Sequence, residues 1–333
     1  MEEGFDSEKY LEFISKEIKL RAKGFKRFYL EVGGKLIFDG HASRVLPGYN
    51  PKNKLHLLSS FRNLGIIYCI NANDLESKKK LTKKKVNYVS QIKKELEEFS
   101  SKGFHLETVV ITRFKEGKKY KKVKKFLKYL KKKKIDSKVF REWDNYSEET
   151  KFALESFKDN GYIYLKKRLI VLTGPAGNSG KMAVALSQLY HEIKNGKKVK
   201  YAKLETFPVW DLPLKHPINL AYEAATADLG DKNMLDKLHL KAHKIKATSY
   251  NRDLNNFKIL RRVTSKRNPF GYKSTTDMGI SGIKLSITNE KICEASALKE
   301  IINRYEWYKE EVKKGREDRK TIERMRQIAR KAE

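Results

Sequence analysis

The chain has 333 residues, enough to bury a sizeable core in two or more domains. A hydrophobic content of 39% is too high for a disordered chain, and no apolar run approaches the length of a membrane span, so both of those classes are excluded. The formal net charge of +33, from 74 Lys and Arg against 41 Asp and Glu, raises the question of nucleic acid, because such side chains replace counterions along a phosphate backbone.

The first segment, MEEGFDSEKYLEFISKEIKL, is acidic and mixed, and it lacks the basic start and apolar core of a signal peptide. Cys69 and Cys293 are too few and too scattered for a disulfide framework or a zinc site. A reducing cytoplasm is the expected compartment. KRFYLEVGG (26–34) predicts a strand running into a glycine turn, and KLHLLSSFRNLG (54–65) a helix. IIYCINAND (66–74) predicts a buried strand. A lysine-rich helix follows within 83–104, with Val89, Ile92, Leu96 and Phe99 on one stripe. LETVVITRF (106–114) is the next strand, followed by a helix within 115–136 on which Tyr120, Val123, Phe126, Leu127 and Leu130 form the apolar stripe. SKVFREW (137–143) closes a first α/β unit, set at 1–160.

A second unit, 161–285, opens with the strand KRLIVLTG (167–174). A helix carrying Met182, Leu186, Leu189, Tyr190 and Ile193 follows, then the strand KVKYAKLETF (198–207). Helices are expected over Asn219–Leu229 and Asn251–Arg262, and a loop over 268–282. From Asn289 the chain is helical and highly charged, a tail set at 286–333. The fold class is therefore α/β, with parallel sheets flanked by helices in at least two units and a helical C-terminal tail.

On both lysine-rich helices the apolar residues share one face and the lysines occupy the other, as on the outer layer of an α/β fold. Lysine also outnumbers arginine, and no nucleic-acid-binding motif is present. Weak, non-specific and salt-sensitive nucleic-acid binding is expected, and nothing tighter.

The stretch RLIVLTGPAGNSGKMAV combines a strand, a glycine-rich turn and a helix start. Backbone N–H groups and the positive helix end make such a turn an anion site, with Gly174, Gly177, Ser179 and Gly180 shaping it and Lys181 reaching the outer phosphates. Pro175 stands where the usual loop has its first glycine. Met182 stands where it has the magnesium-binding Ser or Thr, and a thioether is no ligand for magnesium. A tight turn with a lysine at its end is the alternative. Arg44, after Asp39, His41 and Ser43, is suited to clamp a phosphate or carboxylate, or to a hydrogen-bonded turn. The block KLETFPVWDLPLKHPINLAYEAATADLGDKN concentrates Lys203, Glu205, Asp211, Lys215, His216, Asn219, Glu223, Asp228 and Asp231. Acids beside Lys and His tune proton transfer. Asp228 and Asp231 are metal candidates or helix caps, Asp211 is a further metal or base candidate, and His216 is a general acid or a turn residue.

HASRVLPG, SGKMAVALSQLYHE, YAKLETFPVWDLPLKHPINLAYEAATADL, YNRD and TDMG resemble the blocks of a bacterial family designated uncharacterised protein family 0371, or domain of unknown function 1846. The resemblance runs from about Gly4 to the carboxyl end, and implies an α/β fold and no particular reaction. Members of that family keep Met after the lysine, and carry a longer carboxyl-terminal region, which implies a shortened chain here. The function expected from the residues is a phosphate- or nucleotide-binding enzyme acting on a phosphorylated small molecule, with ATP or another nucleotide and magnesium as cofactors. Phosphoryl transfer or ATP-driven ligation is the chemistry, with Lys181 and Arg44 on phosphate charge, Glu205 and Lys215 beside it, and His216 moving protons. The alternatives are a non-catalytic binder of an anionic metabolite and a polyanion-binding protein acting through its lysines.

Overall fold

The protein is described by a computed structural model over residues 2–77, 87–142, 150–264 and 270–332. Nine strands are described: β1 Arg27–Val32, β2 Leu64–Asn71, β3 His105–Phe114, β4 Ser137–Arg141, β5 Leu169–Thr173, β6 Val199–Leu204, β7 Asn233–Leu235, β8 Thr248–Tyr250 and β9 Gly279–Ile280. Seven of them form one parallel sheet in the order β4-β3-β2-β5-β1-β6-β9, and β7 pairs antiparallel with β8. Residues 1–160 and 161–285 thus contribute strands to the same sheet, with β5 inserted between β1 and β2.

A parallel sheet must be covered on both faces, and the pleat sorts the side chains accordingly. Phe28, Leu30 and Val32 join Ile66, Tyr68 and Ile70 on one face. Tyr29, Ile67, Cys69, Ile170 and Leu172 lie on the other. The first face is covered by the helices Tyr88–Ser101, Lys121–Lys132 and Glu290–Lys313, and the second by Thr150–Asn160, Lys181–Lys194 and Asn251–Thr264. On the lysine-rich helices Ile92, Leu96, Phe99, Val123, Phe126 and Leu130 are buried, as their spacing predicts. The carboxyl-terminal helices are part of this packing, since Cys293, Ala297, Ile301, Tyr308, Met325 and Ile328 enter the first core. Among the described residues no helix is long and apolar enough to cross a membrane.

Several elements differ from the sequence expectation. The helix Ser7–Ala22 was not expected. Asp6 caps it by accepting from the N–H groups of Glu8 and Lys9, and Tyr10, Ile14 and Ile18 bury its inner stripe. The helix expected over Asn219–Leu229 is Pro217–Ala225, and a 3-10 turn over Ala227–Leu229 ends at Gly230 in the left-handed region. The expected loop 268–282 contains a short helix, Thr275–Met278, started by a capping box between Ser274 and Asp277, and the edge strand β9. Residues 83–86, Trp143 and residues 268–269, which those expectations also include, lie outside the described residues.

Because all seven strands run the same way, the loops after β1, β2, β3, β5 and β6 meet at one edge. Parallel sheets bind ligands there, where the strand order reverses. The chain leaves β1, skips a place to β2, moves outward to β4, returns centrally as β5 and crosses to β6. The loop after β5 is therefore at the centre of that edge.

Candidate functional site

A cleft of about 1480 Å³ opens at this edge, and residues 176–184 form part of its wall. The loop after β5 is tightly built. A Cβ on Gly174 would sit 2.4 Å from the Cys69 carbonyl oxygen and 2.6 Å from Ser179 Oγ, so glycine is required there. Asn178 and Gly180 take left-handed backbone, with φ of 60° and 78°. Asn71 Nδ2 donates to the Asn178 carbonyl at 3.3 Å. The Thr112 hydroxyl lies between the Ser179 and Ile70 carbonyls at 2.8 and 3.2 Å. A trans peptide sets its N–H opposite its C=O. With the carbonyls of 178 and 179 turned toward β2 and β3, the N–H groups of Ser179 and Gly180 point away from those strands. The helix Lys181–Lys194 then begins with no side-chain cap, leaving its first-turn N–H groups without intrahelical partners.

Lys181 is buried at the head of that helix, its Nζ 3.5 Å from Ser179 Oγ. Among the described residues it forms no ion pair. Burial pushes its pKa down, and the nearby charge of Glu31 only partly opposes this. Lys35, on the loop after β1, is held low by burial in the same way. Met182 is buried in the second core with Leu186 and Leu189. Its position follows from the helix stripe, so the missing hydroxyl is a packing choice.

Beside the loop a buried ionic cluster closes the floor. Lys203 Nζ donates to Asp253 Oδ2 and Tyr250 Oη, and lies 3.0 Å from Glu205 Oε1. Burial opposes its charge, but Asp253, Tyr250, Glu205 and Glu31 outweigh burial and hold the Lys203 pKa well above the ordinary value. Glu205 is pushed up to about 8, first by burial and then by the Asp253 charge. Glu31, in register with Lys203 across β1 and β6, accepts from the Tyr201 hydroxyl at 2.8 Å. Apart from Lys203 and Glu205, sequence reasoning missed this cluster. The dense polar start Tyr250-Asn251-Arg252-Asp253 of a helix was the available signal.

A stability consequence follows from Glu205. A carboxyl whose pKa is higher folded than unfolded contributes stability that is complete below its unfolded value and is lost as pH rises through the folded one. The window here runs from about 4.5 to about 8. The difference in Tm between the parent and Glu205→Gln is expected to move steadily against the parent across that window. A difference that stays constant with pH would show that Glu205 titrates normally.

The other sequence-named residues divide between the cleft and places away from it. Arg44 reaches the cleft wall, but its guanidinium is bidentate on Glu300, with Nε 2.7 Å from Oε2 and Nη2 2.8 Å from Oε1. Burial opposes ionisation of Glu300, yet hydrogen bonds from His41 and Arg44 and the Arg304 charge hold it far below the usual carboxylate range. Asp39 pairs instead with buried Lys54 at 2.6 Å and caps the helix Gly40–Val45. His216 caps the helix Pro217–Ala225 through Nδ1, and its Nε2 lies 3.1 and 3.2 Å from Glu290 and Glu294, outside the cleft lining. Lys215 is exposed, and Asp211 is half-buried with its carboxyl pushed up by burial. Asp228 is at the cleft rim, where it accepts from Tyr308 at 2.9 Å. Asp231 is fully buried and bound by both Nε and Nη2 of Arg252, at 2.5 and 2.7 Å. The 3-10 turn and Gly230 break the helical spacing that was to align Asp228 with Asp231. Among the described residues, neither of them nor Asp211 belongs to a cluster of three potential ligands.

The model of the domain of unknown function DUF1846, N-terminal, matches residues 3–333. A UPF0371 protein of Clostridium tetani is 40% identical over 331 residues, covering 98% of this chain and 66% of the relative. One from Corynebacterium urealyticum is 39% identical over 322 residues, covering 95% and 64%, and one from Clostridioides difficile is 39% identical over 337, covering 98% and 66%. The chain therefore spans just under two thirds of the length of these relatives.

Proposed function

The chain belongs to the DUF1846 family, and on that footing we propose that its cleft binds the phosphate groups of a nucleotide or another phosphorylated small molecule and serves phosphoryl transfer or ATP-driven ligation. The observation that carries this reading is the buried Lys181, which among the described residues forms no ion pair, at the head of an uncapped fourteen-residue helix on the central loop of the sheet edge. A buried cation that no ion pair compensates fully is costly, and an anion delivered to the cleft lowers that cost. The free N–H groups of the first turn and the helix dipole favour the same ligand.

The phosphate would lie on the N–H groups of residues 179–183, with Lys181 on its oxygens. The cluster of Lys203, Tyr250 and Asp253 lines the cleft beside it and offers donors and a carboxylate for proton movement. Magnesium would enter with the nucleotide, and of the metal candidates named from the sequence Asp228 is the one that lines the cleft. Arg44 and His41 also line the cleft, both bonded to Glu300.

Calorimetric titration with ATP, ADP and pyrophosphate at physiological salt, together with an assay for released phosphate or pyrophosphate, tests the proposal. Saturable 1:1 binding with slow cleavage of ATP is expected. Binding without any release would favour the non-catalytic binder of an anionic metabolite. Failure of all three ligands to bind would contradict the phosphate site.

A further inference from the structure

Two histidines outside the cleft form the start of another site. The helix Lys237–His243 places His239 and His243 four residues apart, so both rings leave the same face, with centroids 4.5 Å apart. Asp277, on the helix Thr275–Met278, meets them. Its Oδ1 lies 3.0 Å from His243 Nε2 and 3.5 Å from His239 Nδ1. The three ligand atoms all lie within 4.8 Å of one another. Bonds of about 2.0–2.1 Å to a tetrahedral zinc ion put neighbouring ligand atoms about 3.3 Å apart. The carboxylate–imidazole distances already match that edge. The Ser274 hydroxyl, 2.9 Å from His239 Nδ1, adds an oxygen at the same point.

The two helices are held in place by a group that is not a ligand. Fully buried Asp236 caps the histidine helix through Oδ1, accepting from the N–H groups of Leu238 and His239 at 3.1 Å each. Its Oδ2 accepts from the N–H and the hydroxyl of Thr276 at 2.9 Å each. One carboxylate therefore ties the histidine helix to the helix that carries Asp277. Asp277 Oδ2 accepts from the N–H groups of Lys273 and Ser274 at 2.7 and 2.9 Å, which aims Oδ1 at the imidazoles.

Two imidazoles and one carboxylate suit a borderline transition ion, whereas magnesium and calcium prefer all-oxygen shells. We propose that His239, His243 and Asp277 bind a divalent ion of the zinc class. Asp277 lies two residues before β9, which pairs with β6 through Gly279 and Lys203, and Gly279 packs on Glu205. The ion would clamp the sheet edge that supports the Lys203–Glu205 cluster. The cysteine count misses this site because its ligands are two histidines of one helix and an aspartate that Asp236 holds beside them.

The full chain, stripped with chelator, is titrated with Zn²⁺ by calorimetry and with Co²⁺ by visible absorption. One equivalent of each is expected to bind, Co²⁺ giving the ligand-field bands of a four- or five-coordinate site, and Zn²⁺ raising Tm. His243→Ala, at an exposed helix end that tolerates truncation, should weaken Zn²⁺ at least about tenfold. Asp277→Asn should weaken it too. His216→Ala, which disrupts the separate group of His216, Glu290 and Glu294, should leave binding unchanged. Absence of Zn²⁺ binding, binding indifferent to His243→Ala, or loss of binding in His216→Ala would each overturn the proposal, the first leaving only a His–Asp ion pair.

Discussion

Lys181→Ala is expected to weaken ATP and pyrophosphate alike by about 1.5–3 kcal/mol, the range for a lost hydrogen bond to a charged group. That is roughly a 10- to 150-fold rise in Kd. The two ligands should suffer equally because the side chain would act on phosphate oxygens and not on a base or sugar. Folding stability should not fall with the affinity. Lys181 is buried without an ion pair among the described residues, and burial already depresses its pKa, so its removal relieves a desolvation cost. A purely structural lysine would show the opposite: lower Tm and unchanged binding. If Lys181→Ala binds every phosphate ligand as well as the parent, the loop is only a turn.

Lys203→Met is expected to be the most damaging single change, costing about 3–5 kcal/mol of stability, as when one partner is taken from a buried ion pair. Lys203 is bound to Asp253, Tyr250 and Glu205 at once. Without it Asp253 is left buried beside a largely protonated Glu205, with no cation bonded to it among the described residues. Methionine keeps most of the volume, so the loss reports charge and not a cavity. The cost should shrink in acid, where protonation relieves the remaining carboxylates, and partly reverse in Lys203→Met/Asp253→Leu, where both members of the closest pair become apolar. Urea unfolding of the three proteins at two pH values decides the matter. A cost below about 1 kcal/mol at neutral pH would place the cluster in contact with water, with the worth of a surface pair.

What the sequence discloses and what it conceals divide along chain separation. The strand, loop and helix around Gly174–Lys181 are a local pattern, and the glycine spacing and apolar stripe that reveal them are complete within the segment. The burial of Met182 and the outward lysines of the helices Tyr88–Ser101 and Lys121–Lys132 follow from the same 3.6-residue period. The insertion of β5 between β1 and β2 is not written in any window, because strand order depends on crossovers and not on local composition. Glu300, which occupies Arg44, lies 256 positions along the chain, and Asp253 and Tyr250 approach Lys203 only once the sheet is assembled. Two features were available and unused. Tyr10, Ile14 and Ile18 repeat every four residues in a segment weighed only as a leader. His216 before Pro217 is a capping residue followed by proline at the first helical position.

The central claim is that backbone N–H groups of residues 179–183, with Lys181, cradle phosphate. Backbone amide chemical shifts followed during titration with ATP, and separately with pyrophosphate, test it at the atoms concerned. Ser179, Gly180, Lys181, Met182 and Ala183 should shift together with both ligands, saturate at one equivalent, and respond only at higher ligand concentrations in Lys181→Ala. Saturating shifts confined to other parts of the cleft, with these five amides unmoved, would contradict the cradle.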